Sequence, residues 1–177
     1  KTFLQVVLWT LVWAFFATFI NYFLGMAAAL LINSKTVKLK KLWRTILITT
    51  IAVPQFVSLL LINRMLSTNM GVVNALLGKW FGIQPIRWLE SGTLTKVVII
   101  VINTWVGIPY TMLITSGILM NIPEDLYESA RIDGAGKMRT FMKITMPYML
   151  FVTGPYLISQ FVGNINNFNV IYFFTQS

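Results

Sequence analysis

Neutral polar side chains recur at helical spacing inside a long uncharged stretch of this sequence. Asn103, Gly107 and Tyr110 follow one another at intervals of four and three residues, and Val106 lies beside them. On a helix these positions share one face, because residues three and four apart are neighbours on its surface. An amide offers both donors and acceptors, and an aromatic ring packs against apolar surface. Such a face suits an uncharged ligand rich in hydroxyl groups, such as a sugar.

Further amides lie in two other uncharged stretches. Asn164 and Asn167 are three residues apart near the end of the sequence, and Gln55 directly follows a proline. An amide inside a bilayer is costly unless it has partners, so these residues indicate either a ligand site or hydrogen bonds between helices. We expect hydrogen bonds between helices for Asn166 and Asn169. The lack of charge in all these stretches argues against an ionic substrate.

The elements that position these residues are predicted to be membrane-spanning helices. Hydrophobic residues make up 56% of the 177 residues and charged residues only 11%, and the mean hydropathy is +0.73. The uncharged runs reach the roughly 20 residues that cross about 30 Å of hydrocarbon as a helix. We predict spans at about residues 4–32, 45–63, 97–120 and 148–172. The fold class is therefore all-α, a polytopic transmembrane helical bundle in which residues 1–177 form a single domain.

The segments between the spans indicate their orientation. The loop from Asn33 to Arg44 carries five basic residues and no acidic residue, which is typical of a cytoplasmic loop. Pro54 lacks a backbone donor and is predicted to kink or open the second span. Residues 64–96 then form an exterior segment with a short amphipathic helix. The apolar face of that helix is predicted from Val72, Val73, Leu76, Leu77 and Trp80.

Composition excludes several classes of chemistry. The sequence has no cysteine and no histidine, so disulfides, thiol chemistry and imidazole acid–base catalysis are excluded and no metal site is expected. The excess of 14 Lys and Arg over 5 Asp and Glu fits membrane loops better than nucleic-acid binding. The sequence starts at Lys1 rather than at Met, and no signal peptide precedes the first span. We therefore expect a fragment of a larger subunit, retained in the membrane.

The loop at residues 121–147 is the most specific feature of the sequence. Pro123 suits the start of a helix, and acidic residues follow it in the first turn, where the helix dipole favours them. Gly134 and Gly136 end this helix, and a second short helix is predicted at about residues 137–144. Two short helices between two spans make a rigid protrusion, which a soluble partner can grip.

The spacing within this loop resembles the coupling motif of ABC importer permeases. That motif reads Glu-Ala-Ala, three residues, Gly, nine residues, Ile, one residue, Leu-Pro, and here Ser129 and Met146 are the two departures. The resemblance implies that the loop docks into a groove of the ATP-binding subunit, with Glu128 as its charged contact and Gly134 in its turn. The positions it assigns to ATPase coupling are Glu128, Ser129, Ala130, Asp133, Gly134, Ile144 and Pro147.

The same loop contains a sequence similar to the end of a phosphate-binding loop. Gly134 to Lys137 reads Gly-Ala-Gly-Lys, but Arg131 and Met138 stand where that motif requires Gly and Ser or Thr. We therefore predict no cofactor on this chain. ATP and magnesium are expected on a separate ATPase chain, and the chain itself is not expected to be an enzyme.

Two stretches are similar to the first membrane subunit of maltose/maltodextrin-type importers. They are Asn103 to Tyr110 and Asn164 to Phe168. The resemblance assigns contact with sugar to Ile51, Gln55, Asn103, Val106, Gly107, Tyr110, Asn164 and Asn167. Two positions depart from that subfamily, because Ile51 stands where a Tyr bonds the sugar and Gly163 stands where a Phe stacks on it.

The resulting expectation is a permease subunit of an ABC importer for a sugar, in the bacterial cytoplasmic membrane. It would pair with a second, related permease, two ATP-binding subunits and an exterior sugar-binding protein, which docks near residues 64–96. An importer for another neutral solute, such as a glycerol phosphodiester, remains an alternative, but phosphate favours an Arg and the spans have none. A secondary transporter or a channel would need acidic residues inside the spans for ion coupling, and none is present. A membrane enzyme would have few possible nucleophile–base pairs without His, Cys or an acidic residue in the spans.

Overall fold

The computed structural model describes residues 2–34, 36–90, 92–167, 170 and 172, and its regular elements over this part of the chain are helices. In chain order they are α1 (Thr2–Asn33), α2 (Lys40–Ala52), α3 (Gln55–Met65), α4 (Val72–Phe81), α5 (Gly92–Met120), α6 (Glu124–Ile132), α7 (Lys137–Thr140), a π-helical turn (Phe141–Thr145) and α8 (Met146–Ile165). The predicted all-α class is confirmed.

Helices α1 and α5 pack along each other and form the centre of the bundle, with α8 against α1. Their contact is close at Gly25, where an added Cβ would lie 2.6 Å from Cβ of Thr111 on α5. The small residues Ala14, Ala17 and Ala29 are fully buried on α1. Small side chains let two backbones approach, so these residues of α1 determine how closely α1 packs against its neighbours.

The helices differ in their suitability for crossing a membrane. Among the described residues, α1 and α5 are each long and apolar enough to cross a bilayer, and α2 and α3 qualify together as one broken span. The axis bends by 88° between α2 and α3, where Pro54 lies, so the predicted break is confirmed. The exact limits of the four predicted spans stay predictions.

The last predicted span differs from the helix that forms there. Helix α8 ends at Ile165, and the chain turns at Asn166, whose N–H bonds to the carbonyl of Val162. The amides of Asn164 and Asn167 donate to Thr18 on α1 and to Asn103 on α5, and the backbone at Val170 and Tyr172 is again helical. Phe168, Asn169 and Ile171, which the prediction included, lie outside the described residues.

Two loops meet at one end of the bundle. The guanidinium of Arg44 on α2 donates to the amide oxygen of Asn33 at the end of α1 and lies 3.7 Å from the sulfur of Met120 at the end of α5. Lys40 donates to the backbone carbonyl of Asn33 at 3.1 Å. The basic loop (residues 33–44) and the loop that begins at residue 121 are therefore at the same end of the bundle. At the other end, Lys96 lies over the ring of Trp9.

The segment between α3 and α5 contains the predicted amphipathic helix, α4, and a buried amide holds this segment together. Asn74 donates to the carbonyls of Thr68 (3.3 Å) and Ile86 (2.9 Å). Its oxygen accepts from the backbone N–H of Ile86 (3.1 Å) and from Nε1 of Trp88 (2.9 Å). All four hydrogen-bonding positions of this amide are used, so one side chain joins both arms of the segment.

Replacing Asn74 with leucine is expected to open this segment. The indole N–H of Trp88 and the backbone of Ile86 would lose their buried partner, at about 1–3 kcal/mol for each group left unpaired. With about 3 kcal/mol lost in total, tryptic cleavage at Lys79 and Arg87 is expected to accelerate about a hundredfold. The control is Asn69→Leu, since Asn69 is exposed in the same segment. Equal cleavage rates in the two variants would contradict this role of Asn74.

Candidate functional site

A cavity of about 610 Å³ opens beside the break between α2 and α3. Its walls come from α1, from the residues on both sides of Pro54, from α5 and from the end of α8. The lining residues are Asn21, Thr50, Ile51, Val53, Pro54, Gln55, Ser58, Asn103, Val106, Gly107, Tyr110, Gln160, Gly163, Asn164, Asn166 and Asn167. No charged residue is among them, so the wall is made of amides, hydroxyls and apolar surface.

The structure brings the predicted sugar-facing positions together in this one cavity. All eight line it: Ile51, Gln55, Asn103, Val106, Gly107, Tyr110, Asn164 and Asn167. The break at Pro54 exposes Ile51 and Gln55, while α5 presents its four residues from a single face. Tyr110 is 47% exposed and free to contact a ligand in this chain. Binding of sugar by these residues stays a prediction.

Asn164 and Asn167 line the cavity, but they do not share one helical face as predicted. A shared helical face is wrong for them, because α8 ends at Ile165 and Asn167 lies beyond it. The side chain of Asn164 is buried and donates to the hydroxyl of Thr18 on α1 at 3.0 Å. The amide of Asn167 instead donates to Asn103 Oδ1 at 3.5 Å. Asn164 thus joins α8 to α1 by a hydrogen bond. Asn167 places a second amide beside that of Asn103 on α5.

Sequence reasoning missed several polar residues of the wall. They are Asn21, Thr50, Ser58 and Gln160. Asn166, for which we expected a hydrogen bond between helices, lines the cavity, and among the described residues its amide donates to the carbonyl of Val162 on its own helix at 3.2 Å. Ser58 and Gln160 lie three and four residues from the predicted positions Gln55 and Asn164, so helical spacing was a usable signal for them. Asn21 had no such signal, because its neighbours in the cavity are distant in sequence.

The loop after α5 has the geometry of a tight helix stop. Gly134 has φ of +69°, in the left-handed region that favours glycine. The N–H of Ala135 bonds to the carbonyl of Ala130 at 2.8 Å, and the N–H of Gly134 bonds to the carbonyl of Arg131 at 3.1 Å. These two bonds form a Schellman motif, which ends α6 and turns the chain toward α7. The left-handed backbone conformation therefore explains why the coupling motif has a glycine at position 134.

The second half of the loop differs from the prediction of a separate helix at about residues 137–144. Helix α7 runs through the π-helical turn directly into α8. Pro147 explains the π-helical turn, because a proline ring clashes with the carbonyl four residues earlier and has no N–H to donate to it. The π-helical turn just before it widens the backbone at that point. The loop is thus rigidly continuous with α8 rather than hinged at Pro147.

Side chains fix the two arms of the loop against each other. The hydroxyls of Tyr127 on α6 and Thr145 in the π-helical turn are 3.0 Å apart, within hydrogen-bond distance. Arg131 forms exposed ion pairs with Glu124 (3.8 Å) and Glu128 (3.6 Å). Glu128 therefore lies on the outer surface of the protrusion, with its carboxylate accessible.

Four of the remaining predicted coupling positions line a groove between the two arms. The groove has a volume of about 420 Å³, and its lining includes Ser129, Ala130, Asp133 and Ile144. Pro147 lies outside it and is exposed. Among the described residues, no group of three or more Asp, Glu, His or Cys side chains could hold a metal ion.

Residues 21–177 match the model of a family described as "Binding-protein-dependent transport system inner membrane component". The chain belongs to that family and is a membrane protein.

Curated relatives are transport permease proteins. The galactooligosaccharides transport system permease protein of Bacillus subtilis (strain 168) is 38% identical over 174 residues, covering 98% of this chain and 42% of the relative. The maltose/maltodextrin transport system permease protein of Escherichia coli (strain K12) is 36% identical over 176 residues, covering 99% of this chain and 34% of the relative. The chain thus spans well under half the length of these relatives.

A solved structure has the same fold. It is a crystal structure of a bacterial ABC transporter involved in the import of the acidic polysaccharide alginate, with a TM-score of 0.81. The match covers 97% of this chain and 60% of that chain at 24% sequence identity. At this identity the likeness concerns the fold alone.

Proposed function

We propose that this chain is part of the transmembrane permease subunit of an ATP-driven ABC importer for a neutral oligosaccharide. The observation that carries the proposal is the cavity, which gathers amides from four parts of the chain around an uncharged wall. Paired donors and acceptors suit hydroxyl groups, and Tyr110 offers a ring for the apolar side of a sugar. The names of the curated relatives, which refer to galactooligosaccharides and to maltose and maltodextrin, support the same class of substrate.

The two departures from the maltose-type pattern favour a wide site. Ile51 offers no hydrogen bond, and a Cβ added at Gly163 would meet no atom within 4 Å. The cavity therefore lacks an aromatic ring at both positions. An oligosaccharide, or a branched or substituted sugar, fits such a wall better than a small compact ring.

Coupling to ATP is assigned to the loop at residues 121–147. Its protrusion is held rigid by the Schellman motif and joins α8 without a hinge, so a force on the loop reaches the cavity wall at the end of the same helix. Ile132 is 86% exposed and Met138 is 73% exposed, which supplies apolar surface for a partner. Closure of two ATPase subunits would then bias the permease between inward-facing and outward-facing states.

The rest of the assembly follows from this assignment. The basic loop and the coupling loop lie at one end of the bundle, and the excess of basic residues places that end in the cytoplasm. The subunit is then a multi-pass protein of the bacterial cytoplasmic membrane, paired with a second permease and two ATP-binding subunits that hold ATP and magnesium. An exterior sugar-binding protein would dock on the segment between α3 and α5.

The alternatives find less support. A glycerol phosphodiester carries a negative charge, and no basic residue lines the cavity. Ion-coupled secondary transport uses acidic residues inside the spans. The five acidic residues of this sequence all lie between the spans, at positions 90, 124, 125, 128 and 133.

The test is ATP hydrolysis by the purified, full-length complex, measured with binding proteins loaded with a panel of neutral oligosaccharides. The expected result is stimulation by at least one sugar, and loss of that stimulation in Glu128→Lys because the charge at the ATPase contact is reversed. The control is Asp125→Lys, the same charge reversal at an exposed residue of α6 that is outside the assigned coupling positions. No response to any sugar, or full stimulation in Glu128→Lys, would contradict the proposal.

A further inference from the structure

We infer that Asn21 on α1 is an additional substrate-binding residue, which donates its amide N–H groups to an oxygen of the sugar. The inference rests on the proposed function. Asn21 lines the cavity from α1, whereas the residues assigned by resemblance come from α2, α3, α5 and the end of α8. It gives the cavity a polar group on α1, next to the wall that α5 forms.

The oxygen end of the Asn21 amide is already engaged. Oγ1 of Thr111 on α5 donates to Oδ1 of Asn21 at 3.2 Å, and Thr111 is buried. The hydroxyl of Tyr156 on α8 lies 3.0 Å from Oγ1 of Thr111. Because Thr111 has one hydroxyl proton and gives it to Asn21, Tyr156 is the donor in the second bond. A chain of two hydroxyls therefore fixes the orientation of the amide.

The nitrogen end of the same amide lies against α5, at the wall of the cavity. Nδ2 of Asn21 lies against the backbone of Gly107, so close that a Cβ added there would be 1.9 Å from it. Gly107 and Asn21 both line the cavity. In the described part of the chain no hydrogen bond uses Nδ2, and Asn21 is only partly buried. Its N–H groups are therefore free to donate to a ligand next to the α5 wall.

The close approach of α1 and α5 makes this arrangement specific. One helical turn after Asn21, Gly25 lets the α1 backbone come within contact of Thr111. A longer side chain at either glycine would push α1 away and withdraw Asn21 from the wall. A fixed pair of donors complements the acceptor lone pairs of a sugar hydroxyl or ring oxygen, so Asn21 selects for an oxygen at one position of the substrate.

The experiment measures ATP-dependent uptake into proteoliposomes that contain the full-length complex and its binding protein. Tritiated maltotriose and galactotriose serve as probes, followed by the monodeoxy analogues of whichever is imported. Each analogue is compared between wild type and Asn21→Ala with the same binding protein, so recognition by that protein cancels in the ratio. Thr10→Val is the matched control on α1, since the hydroxyl of Thr10 bonds only to the carbonyl of Val6 on its own helix.

The expected result is that Asn21→Ala lowers uptake of the complete sugar about tenfold, a typical loss for one buried hydrogen bond. For the one analogue that lacks the contacted oxygen, wild type and Asn21→Ala take up sugar equally. An equal loss for every analogue, or no loss for any, overturns the inference while leaving the proposed function standing. Failure of wild type to import either probe overturns the proposed function, and this inference with it.

Thr111 acts as a positioning residue and provides a second test. Thr111→Val keeps the shape but removes the hydroxyl, so it is expected to reproduce the same analogue pattern with a smaller loss, about threefold. Thr111→Ser restores the hydroxyl and is expected to restore uptake. Loss in both variants to the same extent would assign Thr111 to packing alone and would contradict the proposed anchoring of Asn21.

Discussion

Gly134→Val is expected to abolish coupling between ATP hydrolysis and uptake while leaving the bundle folded. Gly134 has φ of +69°, and its N–H and that of Ala135 close the Schellman motif at the end of α6. A β-branched residue in this conformation costs about 2 kcal/mol, so the turn reopens and α6 loses its angle to α7. Uptake by the reconstituted complex is expected to fall about thirtyfold, together with sugar-stimulated ATP hydrolysis.

Two variants in the same turn serve as controls for Gly134→Val. Gly134→Asn is expected to retain most activity, because asparagine tolerates the left-handed conformation. Gly136→Ala is expected to behave as wild type, since Gly136 has φ of −69° and an added Cβ meets no atom within 4 Å. Normal uptake by Gly134→Val would show that coupling between closure of the ATPase subunits and transport does not depend on the shape of this turn.

Gly25→Val is expected to prevent α1 and α5 from packing and so to remove most of the assembled complex. A Cβ at this position would lie 2.6 Å from Cβ and Cγ2 of Thr111 and 3.1 Å from the backbone nitrogen of Met112. Thr111 is buried and bonded to Asn21 and Tyr156, so it has no room to give way. Overpacking at such a contact costs about 3 kcal/mol.

The measurement for Gly25→Val is the yield of monodisperse complex in detergent and its thermal midpoint, both expected to fall sharply. Gly117→Val is the matched control, because Gly117 lies on α5 and a Cβ added there meets no atom within 4 Å. A wild-type yield and midpoint for Gly25→Val would mean that the helices do not approach as closely as the structure indicates.

Local features of this protein could be predicted from the sequence because they depend on neighbours along the chain. Pro54 predicted a broken span from its missing donor, and the structure bends by 88° there. The spacing of Asn103, Gly107 and Tyr110 predicted a shared face, and all three line the cavity. Glycine at position 134 predicted the end of α6, which the left-handed φ explains.

Features that depend on contacts between distant residues could not be predicted in this way. Asn21 reaches the cavity only because α1 crosses α5 at Gly25, and nothing near Asn21 in the sequence indicates that contact. Asn74 acts through Ile86 and Trp88, twelve and fourteen residues later. Asn167, just beyond the end of α8 at Ile165, donates to Asn103 on α5, a contact that the apolar pattern does not indicate. In each case, contacts between residues that are distant in the sequence determine the local structure.

The central claim is that a neutral oligosaccharide occupies the cavity during transport. The most direct measurement uses Val106→Cys, a residue of the cavity wall in a chain with no native cysteine. In the reconstituted complex with cysteine-free partners, the rate of modification by a membrane-impermeant thiol reagent is recorded with ATP and binding protein, with and without the imported sugar. Leu113→Cys, exposed on α5 away from the cavity, is the control. We predict that sugar slows modification at position 106 and leaves position 113 unchanged; equal rates at position 106 with and without sugar would contradict the claim.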